Sequence, residues 1–200
     1  MRFGKMLSVV LAAGLLGPGT ALAADAKGGF AVHGAGAALC SAVNEAAKAA
    51  RDQTTAQLSG WIAGYLSAYN RLTAGVHDIV PTNEMQVYAR LAIANCQGNA
   101  ALRLETVMAS LLQNMQPLRV AEESPFVTIA NDKFTVTVRS SVIREVQLAL
   151  VRAKHLTGTT DGVWGRRSEE AIRKFQEQAK LPETGIPDVG TLSVLLAPRR

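Results

Sequence analysis

Asp161-Gly162-Val163-Trp164-Gly165 decides how the last third of this chain folds. Asp-Gly forms turns, because aspartate bonds its own backbone and glycine accepts positive φ. Gly165 reads as permitting a second tight turn. Just after it, Ser168 with Glu169 and Glu170 reads as a helix start, the hydroxyl as cap and the carboxylates at the positive end of the helix dipole. That helix carries Ala171, Ile172 and Phe175 inward with Gln176 beside them, and runs out near Lys180. Upstream, Val142, Val146, Leu148, Ala149, Leu150 and Ala153 form an amphipathic helix that ends before Gly158. Downstream, Leu181-Pro182-Glu183-Thr184-Gly185 forms a loop before a last short helix that supplies Leu192, Leu195 and Leu196.

Taken together, Val146-Gln147-x-Ala149-Leu150, Gly158-x-x-Asp161-Gly162-Val163-Trp164-Gly165, Ser168-x-x-Ala171-Ile172-x-x-Phe175-Gln176 and Leu181-x-x-Thr184-Gly185-x-x-Asp188, followed by Thr191-Leu192-x-x-Leu195, closely resemble the peptidoglycan-binding-like module. The resemblance covers 141–197. It implies a bundle of three helices that holds its carrier on peptidoglycan. Asp161, Gly162 and Gly165 match the family's turn, Trp164 stands at an aromatic position, Ser168 at its usual threonine and Phe175-Gln176 at its Phe-Gln pair. Lys154-His155-Leu156 departs from the family's Gly-aromatic pair. Asp161, Gly162, Gly165, Phe175 and Gln176 read first as builders of turn and core. The candidates for contact with the wall are Trp164, Arg166, Arg167, Arg173, Lys174 and Gln176, since arginine forks match the carboxylates of stem peptides. The competing reading of the basic residues is a solvated face balanced by Glu169, Glu170 and Glu177.

The pattern differs upstream. Four helical stretches are expected: 38–51, 54–72 with Thr54 or Thr55 as cap, 83–95 with Asn83 as cap, and 100–115. Leu58, Trp61, Ile62, Tyr65, Leu66 and Tyr69 share one face of the second, and Gly60 and Gly64 beside them read as a place for close helix approach. Val87, Leu91 and Ala94 read as the inner face of the third helix. Phe126–Ala130 and Phe134–Val138 are β-branched around Asn131-Asp132 and read as a short hairpin.

The start, Met1-Arg2-Phe3-Gly4-Lys5, leads into an apolar run from Met6 to Leu16 and then Ala21-Leu22-Ala23, the pattern of a secretory signal peptide over 1–23. The run is too short for a membrane span, and no later segment approaches that length, so no transmembrane segment is expected in the mature chain. The formal charge of +5 is uneven: residues 24–138 carry 8 basic and 9 acidic side chains, and 139–200 carry 11 and 7. The apolar fraction of 48% excludes a disordered chain. Few aromatics and no Lys/Arg-rich run argue against nucleic acid. Cys40 and Cys96, an even pair in an exported chain, read first as a disulfide. The rival is a reactive thiol with a histidine partner, but His33, His77 and His155 lie in no nucleophile motif. No CxxC or HxxxH spacing marks a metal site, and no cofactor is expected.

Cys40, the block Trp61-Ile62-Ala63-Gly64-Tyr65, and Cys96 make the first half resemble the HdeA/HdeB-like family of small periplasmic helical proteins. That resemblance implies one disulfide, no cofactor, and binding of protein partners, chaperone-like in some members. Trp61, Tyr65 and Tyr69 are the partner-binding candidates, with core packing as the competing reading. No wall-enzyme chemistry is legible: three scattered histidines make no amidase zinc site, and Glu45, Glu84 and Glu105 lie in no recognisable catalytic block. The expected fold is mainly α. A signal peptide (1–23) precedes a disulfide-stapled four-helix domain (34–117), a linker with a hairpin (118–138) and a three-helix module (139–200). The expected function is a non-enzymatic periplasmic protein, tethered to peptidoglycan and binding an unknown periplasmic protein. A cell-wall hydrolase, or an accessory subunit that modulates one, is the alternative.

Overall fold

Alanine-rich, strongly periodic sequence makes the first half of the chain helical. In the computed structural model, which describes residues 25 and 29–197, the first helices are α1 (Cys40–Ala49) and α2 (Arg51–Leu72), with α3 (Met85–Gln97) and α4 (Leu104–Met115) after them. A hairpin, β1 (Phe126–Ala130) with β2 (Thr135–Arg139), leads into α5 (Ser140–Arg152), α6 (Arg166–Gln178) and α7 (Val189–Leu195). The chain is mainly helical, as expected, and the hairpin is antiparallel with Thr128 opposite Thr137. No helix among the described residues is long and apolar enough to cross a membrane. The expected signal peptide over 1–23 lies outside the described residues.

Met1–Ala31 and Val32–Arg200 are separate units. In the first, the Asp25 carboxylate accepts the Gly29 N–H at 2.8 Å. In the second, the buried apolar residues of the helical half, the hairpin and the three C-terminal helices form one cluster. Cys40 and Cys96 are joined by a disulfide with 4.8 Å between their Cα atoms. The bridge ties the first residue of α1 to the end of α3. The expected disulfide is present.

Several local expectations shift. Helix α3 starts at Met85 with Glu84 as its cap residue and no side-chain cap, so Asn83 does not cap it. Its buried face is Tyr88, Ala89, Ala92, Ile93 and Cys96, while Val87 and Leu91 are half-buried and Ala94 is exposed. The bridge at Cys96 holds that face inward, and the Tyr88 hydroxyl finds the Thr82 hydroxyl at 2.7 Å, which lets a phenol point into the core. Helix α2 begins at Arg51, and the Thr54 hydroxyl bonds back to the Ala50 carbonyl instead of capping.

Gly60 and Gly64 do not receive a neighbouring helix. A Cβ on either would meet nothing within 4 Å. The close approach is at Gly36 instead, in the 3₁₀ turn Gly34–Ala37, where a Cβ would stand 2.0 Å from Trp61. Gly36→Ala is therefore expected to cost about 1–3 kcal/mol by overpacking. Gly60→Ala is expected to gain about 1 kcal/mol through helix propensity. Thermal melts of the two variants should move in opposite directions; parallel shifts would refute the assignment.

Candidate functional site

The C-terminal module is organised around two buried glutamines. Gln147 projects from α5 and is 3% exposed. Its amide N–H₂ group donates to the Val163 carbonyl at 2.9 Å, the Asp161 carboxylate at 3.1 Å and Ser168 Oγ at 3.3 Å, while its oxygen accepts the Gly162 N–H at 2.8 Å. A buried amide is stable only with such partners, so Gln147 fixes the whole 161–165 turn. Asp161 closes the turn by accepting the Val163 N–H at 2.9 Å, and Gly162 sits at φ +77°.

Gln176 does the same for the second loop. It is fully buried, donates to Thr184 Oγ1, Thr191 Oγ1 and the Ile186 carbonyl, and accepts the Gly185 N–H at 2.9 Å. Gln176 was expected among the wall contacts; with no exposed surface and its amide spent inside, it is a brace for the loop. Asp188 then caps α7 by accepting the Thr191 N–H at 2.9 Å.

Two other motif residues also differ from expectation. Ser168 is buried against Gln147 and does not cap α6, which begins two residues earlier behind Gly165. Gly165 is extended at φ −150°, so it makes no left-handed turn. Gln147 is a structural brace that its place on an amphipathic helix does not announce. Its signal was available: Val146-Gln147 on α5 parallels Phe175-Gln176 on α6, each preceding a glycine loop.

The outer face of α6 carries the basic residues. Arg166 pairs with Glu170 at 2.9 Å in full solvent, where such a pair contributes little. Arg173 bonds Glu169 at 2.8 Å and the Glu183 carbonyl at 3.0 Å, and its guanidinium fills the space beside Gly185. Arg167 donates to the Thr157 carbonyl. Lys174 is exposed, and Trp164 and Phe175 are half-buried against the core. Arg166 and Lys174 are thus the basic groups most open to an incoming carboxylate, with Trp164 at the adjoining turn.

In the helical half, Trp61 and Tyr65 stack with centroids 5.0 Å apart. Trp61 Nε1 donates to the His33 carbonyl at 2.9 Å, Tyr65 donates to Glu105 at 3.0 Å, and the Tyr69 hydroxyl accepts from Gln116. The three rings are half-buried and their polar atoms are engaged within the fold. Burial and the Glu105 carboxylate raise the Tyr65 hydroxyl well above its ordinary pKa. No group of three or more His, Cys, Asp or Glu suited to a metal ion occurs among the described residues.

The Val163 N–H, and then the Gln147 amide, hold the Asp161 carboxyl below the usual carboxylate range. A depressed folded-state value contributes stability above the unfolded pKa, and that contribution is lost as pH falls through the folded one. Wild type should therefore lose it below about pH 4. Asp161→Asn should flatten this acid limb in thermal melts between pH 2 and 6; an unchanged limb would sink the assignment.

Residues 139–195 match a family model described as "Putative peptidoglycan binding domain". No curated protein and no solved structure matches the chain. The match supports peptidoglycan as a ligand of the C-terminal module. Together with the Cys40–Cys96 bridge it points to an extracytoplasmic location.

Proposed function

We propose that this chain is an exported, non-catalytic periplasmic protein in which a module over 139–200 tethers a helical domain over 34–117 to peptidoglycan. The observation that carries the reading is the match at 139–195, falling on a module whose two loops are each locked by a buried glutamine. Such bracing holds a surface ready for its ligand, at little ordering cost on binding. The contact face of the tether is Trp164 with Arg166 and Lys174, supported at its edges by Arg167 and Arg173.

The helical domain is read as the part that engages a protein partner, in the manner of the HdeA/HdeB-like proteins that its Cys40, Trp61-to-Tyr65 block and Cys96 resemble. With Trp61, Tyr65 and Tyr69 committed to internal contacts, the apolar groups left for a partner are Leu39, Leu72 and Leu102, of which Leu72 is 77% exposed. A chaperone-like role belongs to this reading.

The test is cosedimentation of residues 24–200 with purified sacculi, which should pellet the protein in a salt-sensitive manner. A protein left in the supernatant at every salt concentration overturns the tether. Release of muropeptides during the same incubation would replace the binder by a hydrolase. Suppression of client aggregation at pH 3 but not pH 7 is the result expected of a chaperone-like domain.

A further inference from the structure

A second feature of the module is lined by no residue of α6. Between α5, the end of α7 and the segment leading out of α4 lies an open groove of about 710 Å³. That volume is in the range of small-molecule and peptide sites. Its α5 wall is the stripe Ser141, Glu145, Ala149 and Arg152, and its opposite wall is Arg119, Glu122 and Glu123. Leu118 and Val120 on one side and Leu195 and Leu196 on the other make the apolar lining between the charges.

Three properties of this groove bear on what it can hold. The side chains of Glu122, Glu123, Glu145 and Arg152 make no ion pair or hydrogen bond among the described residues. Glu145 and Arg152 stand two turns apart on one helix, so an acid and a base are held about 10 Å from each other with only Ala149 between them. The far wall is fixed, because Val120 exchanges backbone hydrogen bonds with Asp78 at 2.7 and 3.0 Å.

We propose that this groove binds the stem peptide of peptidoglycan, seating its amine among Glu145, Glu122 and Glu123 and a carboxylate at Arg152 and Arg119. The inference rests on the peptidoglycan reading above and adds the ligand element and the place. Charge complementarity selects the occupant. A groove that offers both signs along an apolar track is matched by a short chain that carries an amine, carboxylates and alanine methyls. A neutral sugar strand would leave those charges without partners. At about 3.3 Å per extended residue, the gap from Glu145 to Arg152 spans three residues of peptide. The far wall lies outside 139–195, so the segment 117–123 that follows α4 is part of the recognition surface and not only a link to it.

The test uses residues 24–200 with three probes: intact sacculi, peptide-free glycan strands, and the synthetic tripeptide L-Ala–γ-D-Glu–meso-diaminopimelate. Glu145→Gln, Arg152→Gln and Arg119→Gln alter exposed or rim side chains, and circular dichroism checks their folding. Each is expected to weaken tripeptide binding in calorimetry by about tenfold, roughly one charge-assisted hydrogen bond. Pelleting with sacculi should weaken in the same order. If sacculi still pellet the protein while E145Q/R152Q binds the tripeptide like wild type, the groove assignment is wrong and the tether stands. Binding to peptide-free glycan with no affinity for the tripeptide overturns the occupant. A chain ending at residue 197 that alone binds the tripeptide would make the chain's own end the occupant. Failure of wild type to pellet with any sacculi defeats the peptidoglycan reading itself, an outcome separable from the other three.

Discussion

Replacing Cys40 and Cys96 together with alanine is expected to remove about 4 kcal/mol of stability, the chain-entropy value for a loop of this length. The bridge spans a sequence separation of 56 residues and closes α1 onto the end of α3. The loss would be a large fraction of the 5–15 kcal/mol that holds a domain together. Packing adds to it, because both cysteines are fully buried and alanine leaves space behind. The Asn44 amide that donates to the Cys96 carbonyl at 3.0 Å survives the change, so the helix ends stay in register and the effect is one of stability rather than topology. Denaturant titration of both forms reads it. The midpoint should fall sharply, and the slope should rise, because an unbridged denatured chain exposes more surface. A loss below about 1 kcal/mol would show that the reduced chain keeps its ends together by other means. A thiol reductant such as dithiothreitol should also leave the bridge intact in the native protein and cleave it only once the fold opens, since neither sulfur meets solvent.

The bridge was legible because cysteine pairs in an exported chain have few other uses. The C-terminal module was legible because its turn chemistry is local: Asp161 and Gly162 act on the next two residues, and the helices around them repeat at helical period. What escaped was side-chain chemistry that closes over long sequence distances. Gln147 looks polar on an amphipathic helix, and nothing near it in sequence shows that Asp161, Val163 and Ser168 converge on its amide. The inner face of α3 differs from its periodicity for the same reason. Tyr88 turns inward only because Thr82 meets its hydroxyl, and Cys96 only because Cys40 is waiting. Phe126–Ala130 announces its strand by β-branching, and its partner strand starts at Thr135, one residue after its β-branched run suggests. The short pairings of Leu39 with Arg103, Asp78 with Val120 and Thr82 with Val138 leave no such trace, since each involves an isolated residue with no period. The pairing of Asp78 with Val120 holds the segment 117–123 that shares the groove with α5, so the groove was beyond reach of any local pattern.

Arg139→Met is expected to cost about 3–5 kcal/mol, the penalty for stranding one member of a buried ion pair. The Arg139 guanidinium donates to Asp78 at 3.0 Å, with the two side chains only 14% and 11% exposed. It also donates to the Ser124 carbonyl at 2.8 Å and lies 3.8 Å from the centre of the Phe126 ring. Asp78 in turn accepts from the Asn70 amide and the Val80 N–H, each at 3.2 Å. One arginine at the end of β2 therefore gathers the loop after α2, the segment before β1 and the start of the C-terminal module. Removing it leaves the Asp78 carboxylate buried with neutral donors alone. Asp78→Asn should cost less than Arg139→Met, because the guanidinium keeps Ser124 and the Phe126 ring. Combining the two should recover part of the loss, giving a coupling energy above about 1 kcal/mol in a double-mutant cycle. Additive losses, or a single-variant cost below about 1 kcal/mol, would class the pair with surface ion pairs and refute the assignment. Amide exchange supplies an independent reading. In Arg139→Met, protection should fall first at the Asp78 and Val120 N–H groups, whose mutual bonds hold the far wall of the groove, while the Cys40–Cys96 end of the helical half keeps its protection.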